Sequence, residues 1–374
     1  MSHLRFRKKQ ILFFFILFSF CCFAQQSNIS IPIDAFHDGI HHWNLDHATR
    51  NYPRYESSQI KEIADNLVTY QNKDGGWPKN LDWLAVLNPD SVKESLSDHY
   101  KESTLDNRNT YSQIEYLAQA YSYTGTENYK LAAVNGINYV LSLQLPNGGW
   151  RGWDVDAITF NDDVMTGVLN LLLDIVEGKS CFKWVDDILY NKVSNAFDRG
   201  IGLILRCQIT TNGVKTAWAQ QHDNNTLLPV KARTFELPGI TANESSSVVL
   251  LLMRIKHPSK KIIESVKCAI NWIEKSKIRG LKVEKISLPE DKIINHEYPY
   301  DNIIVKNKSA GPLWARFYET DTNRPFMCTR QGQKVYKLSD VNPERRTGYA
   351  WYGIWPQKVL KAYPKWLKAI NKKL

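Results

Sequence analysis

The stretch Lys231-Ala232-Arg233-Thr234-Phe235-Glu236 sets an arginine three residues from a carboxylate. Two acidic runs precede it, Thr104-Leu105-Asp106-Asn107 and Asn161-Asp162-Asp163. Asp and Asn oxygens completed by water suit calcium or magnesium rather than zinc. Adjacent carboxylates repel one another unless a cation or hydrogen bonds relieve them. A strongly basic group beside a hard cation could take a proton from a carbon next to a carboxylate. On a uronic acid ring that proton is on C5, and the C4 oxygen would leave. A cation on the carboxylate would stabilise the enolate-like charge that develops. Arginine normally keeps its proton, so this role for Arg233 demands desolvation and neighbouring cations. The plainer alternatives are an Arg233 ion-paired with Glu236 or Asp223, and Asp and Asn acting as helix caps.

Downstream, Arg316, Arg324, Arg330, Arg345 and Arg346 lie among Trp314, Phe317, Tyr318, Tyr336, Tyr349, Trp351 and Tyr352. Arginine grips carboxylates bidentately where lysine cannot, so some of these are expected to hold substrate and others to be core ion pairs. His37, His41, His42 and His47 cluster without metal-ligand spacing and receive no role. No phosphate loop, nucleophile elbow or redox motif is present.

These groups need a scaffold, and helical periodicity supplies it. Apolar residues three and four apart predict helices over 60–71, 111–123, 128–143, 164–177, 190–207, 245–255, 260–277 and 356–370. Short strands are expected over 280–286 and 334–338. An internal repeat joins the helices: Gln71-Asn72-Lys73-Asp74-Gly75-Gly76-Trp77 returns as Gln144-Leu145-Pro146-Asn147-Gly148-Gly149-Trp150. A degenerate third copy runs from Gln208 through Asn212-Gly213 to Trp218. Asn-Gly or Asp-Gly suits a left-handed helix end, and the Trp can pack over the turn. The repeat predicts an all-α dominated α/α toroid, an (α/α)3 barrel-like single domain with long loops, a few short strands and an active site at one end.

Residues 1–24 read as a cleaved signal peptide, with basic Arg5, Arg7, Lys8 and Lys9, an apolar run from Ile11 to Phe20, and Cys22-Phe23-Ala24 at the cleavage site. Its removal takes away four basic and no acidic side chains, so the net charge falls from +10 to +6. The remaining surplus, with many Trp and Tyr, suits a polyanionic, ring-bearing polymer and no nucleic acid. The expected product is a periplasmic or secreted monomer with no membrane span. Residues 25–58 form an N-terminal extension and 59–374 the catalytic domain. Cys181, Cys207, Cys268 and Cys328 have no CxxC spacing, which signals neither a zinc site nor a dense disulfide framework.

In combination these segments resemble the family-ten pectate lyases over residues 59–363. The resemblance is carried by Gln-Asn-Lys-Asp-Gly-Gly-Trp-Pro-Lys-Asn at 71–80, Thr-Leu-Asp-Asn at 104–107, Ile-Thr-Phe-Asn-Asp-Asp at 158–163 and Lys-Ala-Arg-Thr-Phe-Glu at 231–236. Asn-Gly-Gly-Trp at 147–150, Trp-Ala-Gln-Gln-His-Asp at 218–223, Ala-Arg-Phe-Tyr-Glu at 315–319, Thr-Asn-Arg-Pro at 322–325 and Glu-Arg-Arg-Thr-Gly-Tyr at 344–349 complete it. The resemblance implies calcium-assisted β-elimination of α-1,4-linked polygalacturonate, pectate lyase activity of class EC 4.2.2.2. It places the C5 base on Arg233, with Asp106 catalytic and at the calcium. It places the second calcium aspartate on Asp162 or Asp163, and substrate contacts on Arg316, Arg330, Lys231 and Asn107. Arg108-Asn109 departs from the small residues that follow the Thr-x-Asp-Asn motif in that family. Two other readings stand beside it: a toroid glycoside hydrolase using paired carboxylates such as Asp106 and Asp162, and a non-catalytic binder of acidic glycans.

Overall fold

Helices form where apolar residues recur every three or four positions, and caps set several of their limits. The computed structural model describes residues 30–46, 52–86, 88, 101–292 and 299–372; the expected signal peptide and His47 lie outside them. The helices are α1 (His37–Asp46), α2 (Ile60–Tyr70), α3 (Tyr111–Thr124), α4 (Glu127–Ser142), α5 (Val164–Val176), α6 (Asp187–Cys207), α7 (Ala242–Arg254), α8 (Lys260–Lys275), α9 (Pro343–Gly348) and α10 (Pro356–Asn371). Asp186 caps α6 by accepting from the Leu189 amide, and Ser259 caps α8 through the Ile262 amide. Gly125 ends α3 in a left-handed turn. Neither α1 nor α9 was expected from periodicity.

Helices pack in two layers. α3, α5 and α7 lie side by side, followed by α10, while α2, α4, α6 and α8 flank them. α5 is buried almost throughout, as its unbroken apolar sequence demands. The repeat explains the stacking. Gln71, Gln144 and Gln208 each bridge their own turn to the next flanking helix, donating to Ala132, Ala196 and Ser265 carbonyls respectively. Trp77, Trp150 and Trp218 each donate their indole N–H back to the helix just ended, at Leu67, Val140 and Ile204. Trp314 does the same to Ile273 of α8, a fourth copy the sequence did not reveal. Gly148 has φ +100°, and a Cβ there would lie 2.7 Å from the Arg199 carbonyl oxygen. Only glycine lets turn and helix approach so closely.

The expected toroid is corrected here. The described residues are 47% helical and 14% strand, with no barrel closure among them. The two helical layers form an open arc, and α2 makes no extensive contact with α7 or α10 among the described residues. The starts of α1 and α10 face one another across the gap without packing together. A cavity of about 1070 Å³ separates Asp34, His37 and Asp38 from Ile354, Gln357 and Lys358. Short strands occupy the connections: β1 (Ile158–Thr159) pairs with β4 (Gln221–His222), and β8 (Trp314–Ala315) with β12 (Tyr352–Gly353). A four-stranded sheet runs in the order β11 (Lys334–Val335), β10 (Pro325–Cys328), β9 (Phe317–Tyr318), β5 (Ile240–Thr241). β2 (Thr210–Thr211) with β3 (Val214–Lys215), and β6 (Leu281–Ser287) with β7 (Tyr300–Lys306), form hairpins. Cys181, Cys207, Cys268 and Cys328 are free thiols. No helix among the described residues is long and apolar enough to cross a membrane.

Candidate active site

The starts of α3, α5 and α7 each deliver one carboxylate to the same end of the arc: buried Asp106 and Glu244, and half-buried Asp162. Two of these entries are conformationally unusual. Asn107, Arg108 and Thr110 before α3, and Asp162 and Asp163 before α5, all have positive φ. Such residues cost free energy unless the surroundings fix them, and they gather at functional sites. Here the fixing is visible. The Thr110 hydroxyl donates to the Thr104 carbonyl at 2.7 Å, and the Asn109 amide donates to the Trp77 carbonyl. The repeat's tryptophan turn therefore holds the Asp106 loop.

Asp106 is ion-paired with Lys79, Nζ to Oδ2 at 3.1 Å, and both are buried. Burial raises the Asp106 carboxyl above the usual range, and Lys79 opposes that rise. Asp162 is pushed up to about 8, first by burial and then by the charge of Asp106. A carboxylate that resists ionisation through burial and a neighbouring aspartate marks a site short of positive charge. Asp163 is placed differently. Its Oδ2 accepts from the Arg108 guanidinium at 3.0 and 3.1 Å, and its Oδ1 faces Ser247 and Thr166. The two adjacent aspartates are thus separated, Asp162 toward Asp106 and Asp163 toward Arg108.

Arg233 faces the pair from a loop held by its own partner. Its Nε and Nη2 donate to Glu236 at 2.9 and 2.6 Å, leaving Nη1 without a hydrogen bond among the described residues. The partner is Glu236 and not Asp223, whose oxygen caps Asn225 and Thr226 instead. Burial alone would lower the Arg233 pKa, but the bond to Glu236 and its charge more than offset this, and the net shift is upward. The Arg233 side chain remains 41% exposed, and the expected dominance of cations is absent. Glu236 is held below the usual carboxylate range against burial by Arg233 and Tyr349. The Tyr349 hydroxyl donates to it at 2.9 Å.

Arg316 lies inward and is buried. It donates to Asn161 and Glu244 at 3.1 Å, and its guanidinium sits 4.5 Å from the Tyr349 ring centroid. With its amide oxygen turned to Arg316, Gln220 accepts from Nη2 at 2.7 Å and Nε at 3.0 Å. Asn161 in turn donates to Asp162 Oδ2 at 2.7 Å, so Arg316 reaches Asp162 through Asn161. Arg330 is exposed, and the guanidinium groups of Arg233, Arg330 and Arg345 stand 5.3, 5.8 and 5.1 Å from the Phe235 ring centroid. Lys231 is exposed with no ion pair among the described residues. Asn107 donates to Asn80 at 3.1 Å.

Sequence reasoning missed four members. Lys79 lies within the Trp-Pro-Lys-Asn run, yet no spacing ties it to Asp106. Tyr349 lies in the tail motif, far from Glu236 in sequence. Trp153 stacks under Lys79 at 4.5 Å, and Asp154 lies 3.9 Å from Arg233, on a loop carrying no motif.

No group of three or more His, Cys, Asp or Glu suited to a metal exists among the described residues. Asp106 and Asp162 nevertheless fit one hard cation. They are oxygen donors only, and their mutual repulsion is what a cation relieves; water and substrate oxygens would complete the six to eight ligands calcium takes.

A family model described as pectic acid lyase matches residues 71–360. A family 10 polysaccharide lyase from Cellvibrio cellulosa is 26% identical with TM-score 0.68, covering 90% of this chain and 98% of that one. An aspartate-to-alanine variant of that lyase, in complex with trigalacturonic acid, is 25% identical with TM-score 0.68, covering 90% and 99%. A cycloartenol synthase from Dictyostelium discoideum is 25% identical over 117 residues, 29% of this chain. The match spans only 17% of that synthase, and nothing of its activity carries over.

Proposed function

Because this chain belongs to the pectic acid lyase family and is a lyase acting on polysaccharides, we propose that it cleaves α-1,4-linked polygalacturonate by calcium-assisted β-elimination, as a pectate lyase. The convergence of Asp106, Asp162 and Arg233 from three separate loops is the observation that carries this reading. The trigalacturonic acid in the Cellvibrio structure supports an acidic polysaccharide as substrate.

Asp106 and Asp162 would hold the calcium ion, which when bound draws charge from the substrate carboxylate. Lys79 keeps Asp106 oriented, and Asn161 keeps Asp162 oriented. Arg233 takes the C5 proton at Nη1, the nitrogen that Glu236 leaves free. As that proton leaves, the C4–C5 double bond forms, the C4–O bond breaks and the departing oxygen takes up a proton. The Asp162 charge is one of the groups that holds the proton on Arg233, so neutralising Asp162 favours the base form. Arg330 and Lys231, exposed beside this centre, grip neighbouring carboxylates, and Asn107 lines the substrate. Arg316 acts from within, fixing Asn161 and Glu244.

We place the protein in the periplasm or outside the cell as a monomer, after cleavage near Ala24, with a catalytic domain over 59–374. One assay tests the reading: ultraviolet absorbance of unsaturated ends released from polygalacturonate at alkaline pH, with calcium and then with chelator. Reducing ends appearing without unsaturated ones would mean hydrolysis, and the proposal would fall.

A further inference from the structure

Helix α10 and the residue that caps its end carry five lysines on one face and no acidic residue. Lys358, Lys361, Lys365, Lys368 and Lys372 follow one another at intervals of three and four, a stripe facing away from buried Val359, Trp366 and Ile370. All five are exposed, and none makes an ion pair or hydrogen bond among the described residues. At 1.5 Å per residue the stripe is roughly 21 Å long.

Neighbouring like charges at these spacings each weaken a helix by about 0.2–0.5 kcal/mol. A solvated face that served solubility alone would relieve this with Glu at the same spacings, as in Lys130 with Glu127 on α4. The helix dipole favours Lys368 and Lys372 near the C-terminus but disfavours Lys358 and Lys361 near the N-terminus. The dipole therefore does not account for the stripe. Its position is informative: Lys358 lines the cavity that also holds Asp162 and Arg316, so the stripe starts beside the active site and runs away from it. The family model ends at residue 360, leaving most of the stripe beyond it.

We propose that the lysine face of α10 is a holding surface for the acidic polysaccharide, engaging the carboxylates of a long chain beyond the sugars at the reacting centre. The proposal rests on polygalacturonate being the substrate. A polymer bearing a carboxylate on every sugar matches an unbroken line of flexible ammonium groups, which need no fixed register. The contacts are exposed and screened, so they add affinity for long chains and do nothing for short ones.

The test uses the full chain and a variant with Lys361, Lys365, Lys368 and Lys372 all changed to Gln, a good helix former. A second variant changes the same four to Glu. Retardation in gels containing polygalacturonate is measured with chelator present, so that binding is read without turnover, alongside turnover of trigalacturonate with calcium. The Gln variant should lose about tenfold in polymer affinity and the Glu variant more, both with unchanged melting and unchanged trigalacturonate turnover. The difference should vanish near 1 M salt, where screening acts within about 3 Å. Equal retardation of all three proteins overturns the proposal. So does sedimentation of the unaltered protein, but not the variants, with phosphatidylserine vesicles when polymer affinity is unchanged. If all three release no unsaturated ends from polygalacturonate with calcium while retardation still differs, the lyase reading fails and the holding surface stands.

Discussion

The Arg233 guanidinium lies edge-on to the Glu236 carboxylate through two parallel hydrogen bonds, and the two groups are unequally placed. The Glu236 side chain is 1% exposed and that of Arg233 is 41% exposed. The carboxylate is the fixed member, locked from behind by Tyr349, and the guanidinium is presented outward toward Asp106 and Asp162. A bidentate contact of this kind sets the plane of the guanidinium as well as its charge.

Removing the proposed base should reduce turnover far more than affinity. Arg233→Ala is expected to lower kcat at least 10²–10⁴-fold, the usual span for loss of a general base. KM should change little, because Arg330 and Lys231 remain. Arg233→Lys should rescue little, since an ammonium cannot lie edge-on to Glu236. Steady-state kinetics on polygalacturonate decide it: a raised KM with kcat spared would make Arg233 a binding residue.

Changing Glu236 to Gln keeps the shape and removes the charge that holds the proton on Arg233. The acid limb of the kcat–pH profile should therefore move to lower pH, because the base form appears sooner. Stability responds separately. Glu236 has a depressed folded pKa, so its contribution is present above about pH 4.3, the unfolded value, and is lost as pH falls through the folded value. Melting curves of Glu236→Gln should thus lie below those of the unaltered protein at neutral pH and converge with them in acid. An unmoved acid limb in a folded variant would show that Glu236 does not set the Arg233 charge.

Asp162 makes the opposite contribution. With its pKa raised to about 8, its favourable folded form is the protonated one. That stabilisation is complete below the unfolded value of about 3.9 and is lost as pH rises through about 8. Asp162→Asn should therefore be more stable than the unaltered protein above pH 8 in chelator, and inactive. Calcium should raise the melting temperature of the unaltered protein at that pH but not of the variant. Identical calcium responses would remove Asp162 from the cation site.

The repeat turns make a purely structural prediction. Gln144 joins the Gly148 carbonyl to the Ala196 carbonyl of α6 at 3.0 and 2.8 Å. Gln144→Ala removes both half-buried side-chain bonds that tie the turn to α6, at a cost of about 1–3 kcal/mol. Gly148→Ala should cost more, because it adds a strained left-handed backbone to a contact with Arg199 that has no room. Urea unfolding measures both, and an effect below about 0.5 kcal/mol, the range of ordinary surface changes, would contradict the account.

Much of this molecule is written in local pattern. Apolar spacing located the eight principal helices to within a few residues, and Gln…Gly-Gly-Trp marked three of the four turns, because both signals act over one or two helical turns. The acidic runs at Asp106 and Asp162 and the arginine at 233 were legible as residue types suited to one chemistry. What the sequence could not supply was orientation. Asp162 and Asp163 are chemically identical neighbours, and only two successive left-handed residues turn one to Asp106 and the other to Arg108. Arg316 and Arg330 read alike, yet one is buried against Glu244 and Tyr349 while the other is exposed over Phe235. The arc's failure to close was equally hidden, since whether first and last helices meet depends on small rotations accumulated over every pair between them. Long-range packing decides those angles, and no local stretch of residues records their sum.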